Sequence, residues 1–221
     1  MPQRLVLAST SARRRELLAR LGVRFTCVAS GVDEEAVRIR PARALAMALA
    51  GRKARVVARR HPDAVVLAAD TVVVLRGKVL GKPKDAAEAA SMLGALRARA
   101  HQVITGVCVV APGRAGVCRY VASKVRMRAY TTVESLDYIC RGEPFDKAGG
   151  YGIQDARFAP VAKLDGCYYN VMGLPLGLTT SMLRDAGLST KALSGRVRCP
   201  CCRQSPTHKR SSARRLSLRG R

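Results

Sequence analysis

Apolar and polar positions fall in blocks along the chain, and the densest apolar block is Val65-Val66-Leu67-Ala68-Ala69-Asp70-Thr71-Val72-Val73-Val74-Leu75. A Val-rich run between the turn formers His61-Pro62-Asp63 and Arg76-Gly77 predicts a buried strand. Shorter runs predict strands over 4–8 and 24–29, and a pair over 103–111 and 117–128 joined by the turn Pro112-Gly113-Arg114-Ala115-Gly116. Helical spacing appears over 12–21, where Leu17, Leu18 and Leu21 form the stripe and Gly22 the stop. It returns over 41–60, with Leu45, Leu49 and Val56 or Val57 on the apolar side, and again over 85–97 and 131–140. A last helix within 171–186 is entered through Gly173-Leu174-Pro175 and ends at Gly187. Strands alternating with helices predict the α/β class.

The central strand carries an acid where the chain should be dry. A carboxylate among such neighbours needs a cation, a donor cluster or a metal, or else it must take up a proton. The first strand leads through Ser9-Thr10-Ser11 into a helix, and free N–H groups at such a junction form an anion site. Arg13, Arg14 and Arg15 stand in that helix's first turn, where the dipole disfavours cations, and a bound anion would offset the cost. By pattern alone Lys53, between Arg52 and Arg55, is one solvated base among several. Lys82 is drawn towards extended backbone by Pro83. Residues 142–154 form the most glycine-dense stretch, a loop that lets backbone amides approach a ligand closely.

Composition narrows the partners. The chain has 221 residues, nearly half hydrophobic, enough for a substantial core, and no Trp. Its net charge of +25 favours polyanions, and residues 191–221 hold ten Lys and Arg and no acid. No stretch reads as a membrane span or signal peptide, which points to the cytoplasm. Cys27, Cys108, Cys118, Cys140 and Cys167 are scattered singly, and in a cytosolic chain such residues are small core side chains without a disulfide role. Walker A, G-x-G-x-x-G, H-E-x-x-H and G-x-S-x-G patterns are absent, and three histidines make a His-based triad or zinc site improbable. The chemistry is left to carboxylates (Glu34, Asp70, Asp146), lysines (Lys53, Lys82, Lys147), arginines, hydroxyls and the amide of Gln154. That set suits a polyphosphate handled with a divalent metal.

In sequence the chain resembles the Maf family of nucleoside triphosphate pyrophosphatases. The resemblance runs from about Arg4 to Gly187. It is carried by Leu7-Ala8-Ser9-Thr10-Ser11-Ala12-Arg13-Arg14, Val32-Asp33-Glu34, Lys53-Ala54, Ala69-Asp70-Thr71-Val72-Val73, Gly81-Lys82-Pro83, Asp146 to Gln154 and Tyr169 to Pro175. It implies a mixed central sheet with flanking helices, two lobes around a cleft as in inosine triphosphate pyrophosphatases, over residues 1–189. It also implies cleavage of a nucleoside triphosphate into the monophosphate and pyrophosphate with Mg²⁺ or Mn²⁺. Asp70 is then the general base and shares the metal with Glu34, while Ser9, Ser11, Arg14, Lys53 and Lys82 bind phosphates. The trio Arg13, Thr71 and Gln154 resembles the branch acting on dTTP, UTP and modified pyrimidine nucleotides, and a Gln amide can pair with the O4 and N3–H edge of uracil or thymine.

Arg52, Ala100 and Asp155 depart from the family pattern. Asp155 matters most, since a negative charge beside the base pocket would loosen or alter specificity. From residue 190 the match ends in a basic tail read as disordered, able to make weak nucleic-acid contacts. Cys199, Cys201, Cys202 and His208 there fall short of a closed zinc site. A homodimer is compatible with the sequence. The second functional reading is a non-catalytic nucleotide-binding protein acting on a partner in cell division, and the combination of Asp70, Lys53 and Lys82 favours the enzyme over it.

Overall fold

The computed structural model describes residues 3–34, 37 and 39–190. The readings made for the tail and its cysteines lie outside the described residues. In chain order the elements are β1 (Leu5–Leu7), α1 (Ala12–Ala19), β2 (Phe25–Cys27), α2 (Ala42–Arg60), β3 (Val65–Leu75) and β4 (Lys78–Leu80). There follow α3 (Ala86–Leu96), β5 (Ala100–Val110), β6 (Val117–Met127), α4 (Thr132–Cys140), β7 (Val161–Asp165), α5 (Tyr168–Met172) and α6 (Leu176–Asp185). Two short 3₁₀ turns, Glu143–Asp146 and Ala148–Gly150, lie in the glycine-dense loop. The expected last helix, entered through Gly173-Leu174-Pro175, is α6, and the short α5 before it, which stops where Gly173 takes φ 110°, was not expected. The short strands β4 and β7 were not expected.

The sheet is mixed, as the resemblance implies, in the order β2-β1-β3-β5-β6-β7 with β4 added to β3. β1 runs parallel to β2 and β3, and every other pair is antiparallel. One edge of β3 is paired with β5 from Val66 to Val74. Its other edge is paired only at the ends, with β1 at Val65–Leu67 and with β4 at Val73–Leu75. Between these lies a notch at 68–72, and Asp70 and Thr71 stand in it.

Alternation along β3 divides the interior. Val65, Leu67 and Ala69 pack with Leu17, Leu18, Leu174 and Leu183, while Val73 and Leu75 pack with Leu93, Leu96 and Tyr138. Thr71 falls between these two clusters. On the opposite face Val66 and Ala68 pack under Ala50, Ala54 and Val57 of α2, and Val72 packs with Ala46 and Ile104. Asp70 falls between those. The buried stripe of α2 runs Ala46, Leu49, Ala50, Lys53, Ala54, Val57, so the spacing that seats the helix also points Lys53 at the sheet.

Cys108 and Cys118 face each other in the β5–β6 register with Cα atoms 4.1 Å apart and form a disulfide, against the expectation of isolated cysteines. Both strands pair symmetrically about the turn, and that symmetry brings the two cysteines opposite each other. Cys27 and Cys140 are exposed free thiols, while buried Cys167 accepts from the Asn170 amide at the start of α5.

α2 seats on the sheet at Gly106, the partner of Asp70 in the register. A Cβ there would lie 2.4 Å from the Ala46 carbonyl oxygen, inside backbone that cannot turn aside. Gly106→Ala is therefore expected to cost about 3 kcal/mol by overpacking, read as a lower urea midpoint with an unchanged m-value.

Candidate active site

The notch opens into a cleft lined by residues from α1, α2, β3, the segment after β4, the glycine-dense loop and α5. At its floor Asp70 is 3% exposed and Lys53 is 6% exposed. Lys53 Nζ lies 2.5 Å from Asp70 Oδ1 and 2.7 Å from Glu34 Oε1, so one ammonium bridges the two carboxylates. Lys53 thus leaves its arginine neighbours in solvent and turns inward. Burial raises the Asp70 carboxyl above its ordinary value, against the pull of Lys53 and Arg14. Burial pushes Glu34 upward too, but the Lys53 hydrogen bond and the charges of Lys53, Lys82 and Arg14 outweigh it and hold Glu34 low.

Ser11 caps α1 by accepting from the Arg14 amide at 3.4 Å. This leaves Arg13 and Arg14 of the first turn aimed at the cleft, while Arg15 is exposed and does not line it. Arg14 donates from Nε to the Gly173 carbonyl at 3.0 Å and from Nη2 to Thr71 Oγ1 at 3.2 Å. Burial lowers its pKa, opposed by Asp70 and Glu34, and a guanidinium stays charged regardless. Arg13 reaches across to the glycine-dense loop, with Nη1 2.6 Å from Asp146 Oδ2 and Nη2 3.1 Å from the Asp146 carbonyl. Lys82 and Gln154 line the cleft from exposed positions. Ser9 does not line it, and its Oγ accepts from the Ser11 amide at 3.2 Å. Of the residues expected at the site, the structure therefore brings together Ser11, Arg13, Arg14, Glu34, Lys53, Asp70, Thr71, Lys82 and Gln154 around one cleft.

Three further groups take part. Lys147, 7% exposed, donates to the Glu143 carbonyl, to Glu143 Oε2 at 3.0 Å and to Asp146 Oδ1 at 2.7 Å. Its place inside the densest glycine run is the sequence signal that marks it. Tyr151 lines the cleft, and its hydroxyl lies 2.7 Å from Nε2 of His101, which burial keeps neutral with a pKa lowered to about 4. Asn170, fully buried on α5, ties β5, β6 and the cleft wall together. No sequence spacing announces it.

Asp155 does not line the cleft, and its charge is paired. Arg141 holds it from Nη1 at 3.0 Å and Nη2 at 3.3 Å, and the Phe158 amide donates to it at 2.6 Å. Burial pushes Asp155 up, but these bonds hold it below the usual carboxylate range. It closes a turn away from the cleft.

Among the described residues no group of three or more His, Cys, Asp or Glu could hold a metal, and no helix is long and apolar enough to cross a membrane. Glu34 and Asp70 still fit a hard divalent ion in part. Lys53 engages one oxygen of each, leaving Oε2 and Oδ2, and Mg²⁺ takes one or two carboxylates when phosphate oxygens and waters complete its shell.

Comparison with known proteins gives the arrangement its relatives. The chain is 48% identical over 204 residues to a dTTP/UTP pyrophosphatase of Thermomicrobium roseum, covering 91% of this chain and 93% of that one. It is 50% identical over 188 residues to the dTTP/UTP pyrophosphatase of Deinococcus radiodurans, covering 84% and 94%. It is 50% identical over 187 residues to that of Moorella thermoacetica, covering 84% and 96%. Among solved structures, a HAM1 protein from Coxiella burnetii is similar at 13% identity and TM-score 0.44, over 83% of this chain and 100% of that one. That likeness is remote, and the assignment rests on sequence. The profile of the family described as Maf-like protein matches residues 4–186, and the chain belongs to that family.

Proposed function

We propose that this protein hydrolyses dTTP and UTP to the nucleoside monophosphate and pyrophosphate. The observation that carries the reading is Asp70, a buried carboxylate held by Lys53 at the floor of a cleft walled by Arg13, Arg14, Lys82 and Lys147. The printed activity of its relatives, similar over nearly their whole length, supports the same chemistry.

In this reading Asp70 takes a proton from a water that forms a bond to the α phosphorus, and the bridging bond to the β phosphate breaks to release pyrophosphate. Arg14 and Lys82 stabilise the charge gathering on the leaving oxygens, and Ser11 with the α1 N-terminus receives the phosphate tail. Lys53 keeps Asp70 ionised and aimed, because an ammonium 2.5 Å away favours the charged form against burial. Glu34 and Asp70 are the residues that would hold Mg²⁺ or Mn²⁺. The bound ion supplies Lewis-acid polarisation of phosphate oxygens. Arg13, Thr71 and Gln154 select the pyrimidine, and a Gln amide can pair with its O4 and N3–H edge. The reading places the reaction in the cytoplasmic nucleotide pool, and the basic tail's contact with nucleic acid is a separate, salt-sensitive property.

The direct test is pyrophosphate release with Mg²⁺ or Mn²⁺ from dTTP, UTP, CTP, 7-methyl-GTP, ATP and GTP. Turnover concentrated on dTTP and UTP is expected, and a purine preference would overturn the substrate reading. Asp70→Asn should lower kcat about 10²-fold or more with an unchanged circular dichroism spectrum. Because burial raises Asp70, the acid limb of kcat/KM should lie above the ordinary aspartate value of 3.8. The rate falls as pH drops through that limb, since the base must be ionised.

Lys53→Met removes the cation and leaves a buried carboxylate alone, costing about 3–5 kcal/mol. With Asp70 raised further, protonation relieves that cost. The urea midpoint of Lys53→Met should therefore fall less below wild type at pH 5 than at pH 8, and its acid limb should move to higher pH.

A further inference from the structure

Two oxygens closer than about 3 Å need a hydrogen between them. Thr105, fully buried on β5, stands opposite Thr71 in the register. Its Oγ1 lies 2.8 Å from the backbone oxygen of Asn170 and 2.9 Å from Thr71 Oγ1. The Asn170 carbonyl has no hydrogen to offer, so the single hydroxyl hydrogen of Thr105 points there. The hydrogen between the two threonines then belongs to Thr71. Arg14 Nη2, which can only donate, occupies one lone pair of Thr71 at 3.2 Å. What Thr71 keeps for the cleft is its other lone pair.

Asn170 cannot turn to release this arrangement. Its Nδ2 donates to the Val103 carbonyl and to Ser123 Oγ, both at 2.9 Å, and its Oδ1 accepts from the Thr105 amide at 3.2 Å. Its carbonyl also accepts from the Gly173 amide, and Gly173 in turn holds Arg14. The orientation is built into β5 and α5.

We propose that Thr105 is a positioning residue that makes Thr71 an obligate hydrogen-bond acceptor, so that the nucleoside group received there is an N–H or O–H donor. The inference deepens the dTTP and UTP reading and rests on it for the ligand. Two groups of a pyrimidine nucleotide fit, a sugar hydroxyl, which leaves the whole base edge to Gln154, and the imide N3–H of uracil or thymine, in which case Gln154 keeps only O4, through its amide N–H. Cytosine carries a lone pair at N3, which would face the lone pair of Thr71.

The test compares kcat/KM for UTP, CTP, dTTP and 2′,3′-dideoxythymidine triphosphate in wild type, Thr105→Val and Thr105→Ser. In Thr105→Val the Thr71 hydroxyl loses its acceptor and can turn to donate. One discrimination ratio should then fall about tenfold, the size of one redirected hydrogen bond, while Thr105→Ser retains it. A fall in the UTP/CTP ratio identifies the imide as the donor, and a fall in the dTTP/dideoxy ratio identifies the sugar hydroxyl. Equal losses on all four nucleotides in Thr105→Val, or a serine variant that fails to restore the ratio, would overturn the proposal. A second readout needs neither variant nor substrate. In nucleotide-free wild type, NMR should resolve slowly exchanging hydroxyl protons for both threonines, with the Thr105 proton close to Asn170. Fast exchange of either proton would overturn the relay, whereas a purine preference in the nucleotide panel would overturn only the substrate reading.

Discussion

The contact on which the rest depends is that between Lys53 and Asp70. Neither charge could stand alone at its depth, since an unpaired buried ion costs several kcal/mol. Together they let one acid survive in the middle of β3, a strand otherwise almost wholly apolar. The pairing dictates where α2 must lie, because the lysine reaches the strand only if the helix packs directly over it. Gly106 makes that approach physically open, as any side chain there would hold the helix away.

The second constraint is an unfinished sheet edge. A fully paired β3 would have buried Asp70 and Thr71 on opposite faces, out of each other's reach. With β1 ending at Leu7 and β4 beginning the far side at Leu80, both faces open into one cleft. The glycine-dense loop and α5 close its sides, and each packs into the apolar clusters, the loop through Tyr151 and α5 through Tyr169 and Met172, while polar bonds fix the part that faces the cleft. Arg13 fastens the loop through Asp146, and Arg14 fastens α5 through Gly173.

Much of this was legible in the sequence. The apolar run at 65–75 is the whole of β3, and the caps at Ser11, Asp85 and Thr131 mark where α1, α3 and α4 begin. By pattern Lys53 is misread as a solvated base, although it falls four residues after Leu49 and four before Val57, on the helix's buried stripe. Its flanking arginines hide that phase. The strands β4 and β7 are short and largely exposed, so they carry no apolar alternation to read. The cysteine pair follows from the hairpin register, which a scan for lone cysteines passes over. Asp155 looked like a misplaced charge because its partner Arg141 is fourteen residues away, and the bonds of Asn170 to Thr105 span 65. Such contacts arise from tertiary folding, and no local pattern encodes them.

Three cations of the cleft are not waiting with bare charge. Arg13 holds Asp146, Lys147 holds Asp146 and Glu143, and Lys53 holds Asp70 and Glu34. Of these, Arg13 and Lys147 can exchange Asp146 and Glu143 for phosphate oxygens when a triphosphate enters, whereas Lys53 stays with Asp70. Where that exchange occurs the gain on binding is a difference between two sets of ion pairs, so Arg13 and Lys147 grip a phosphate less tightly than their charges alone would.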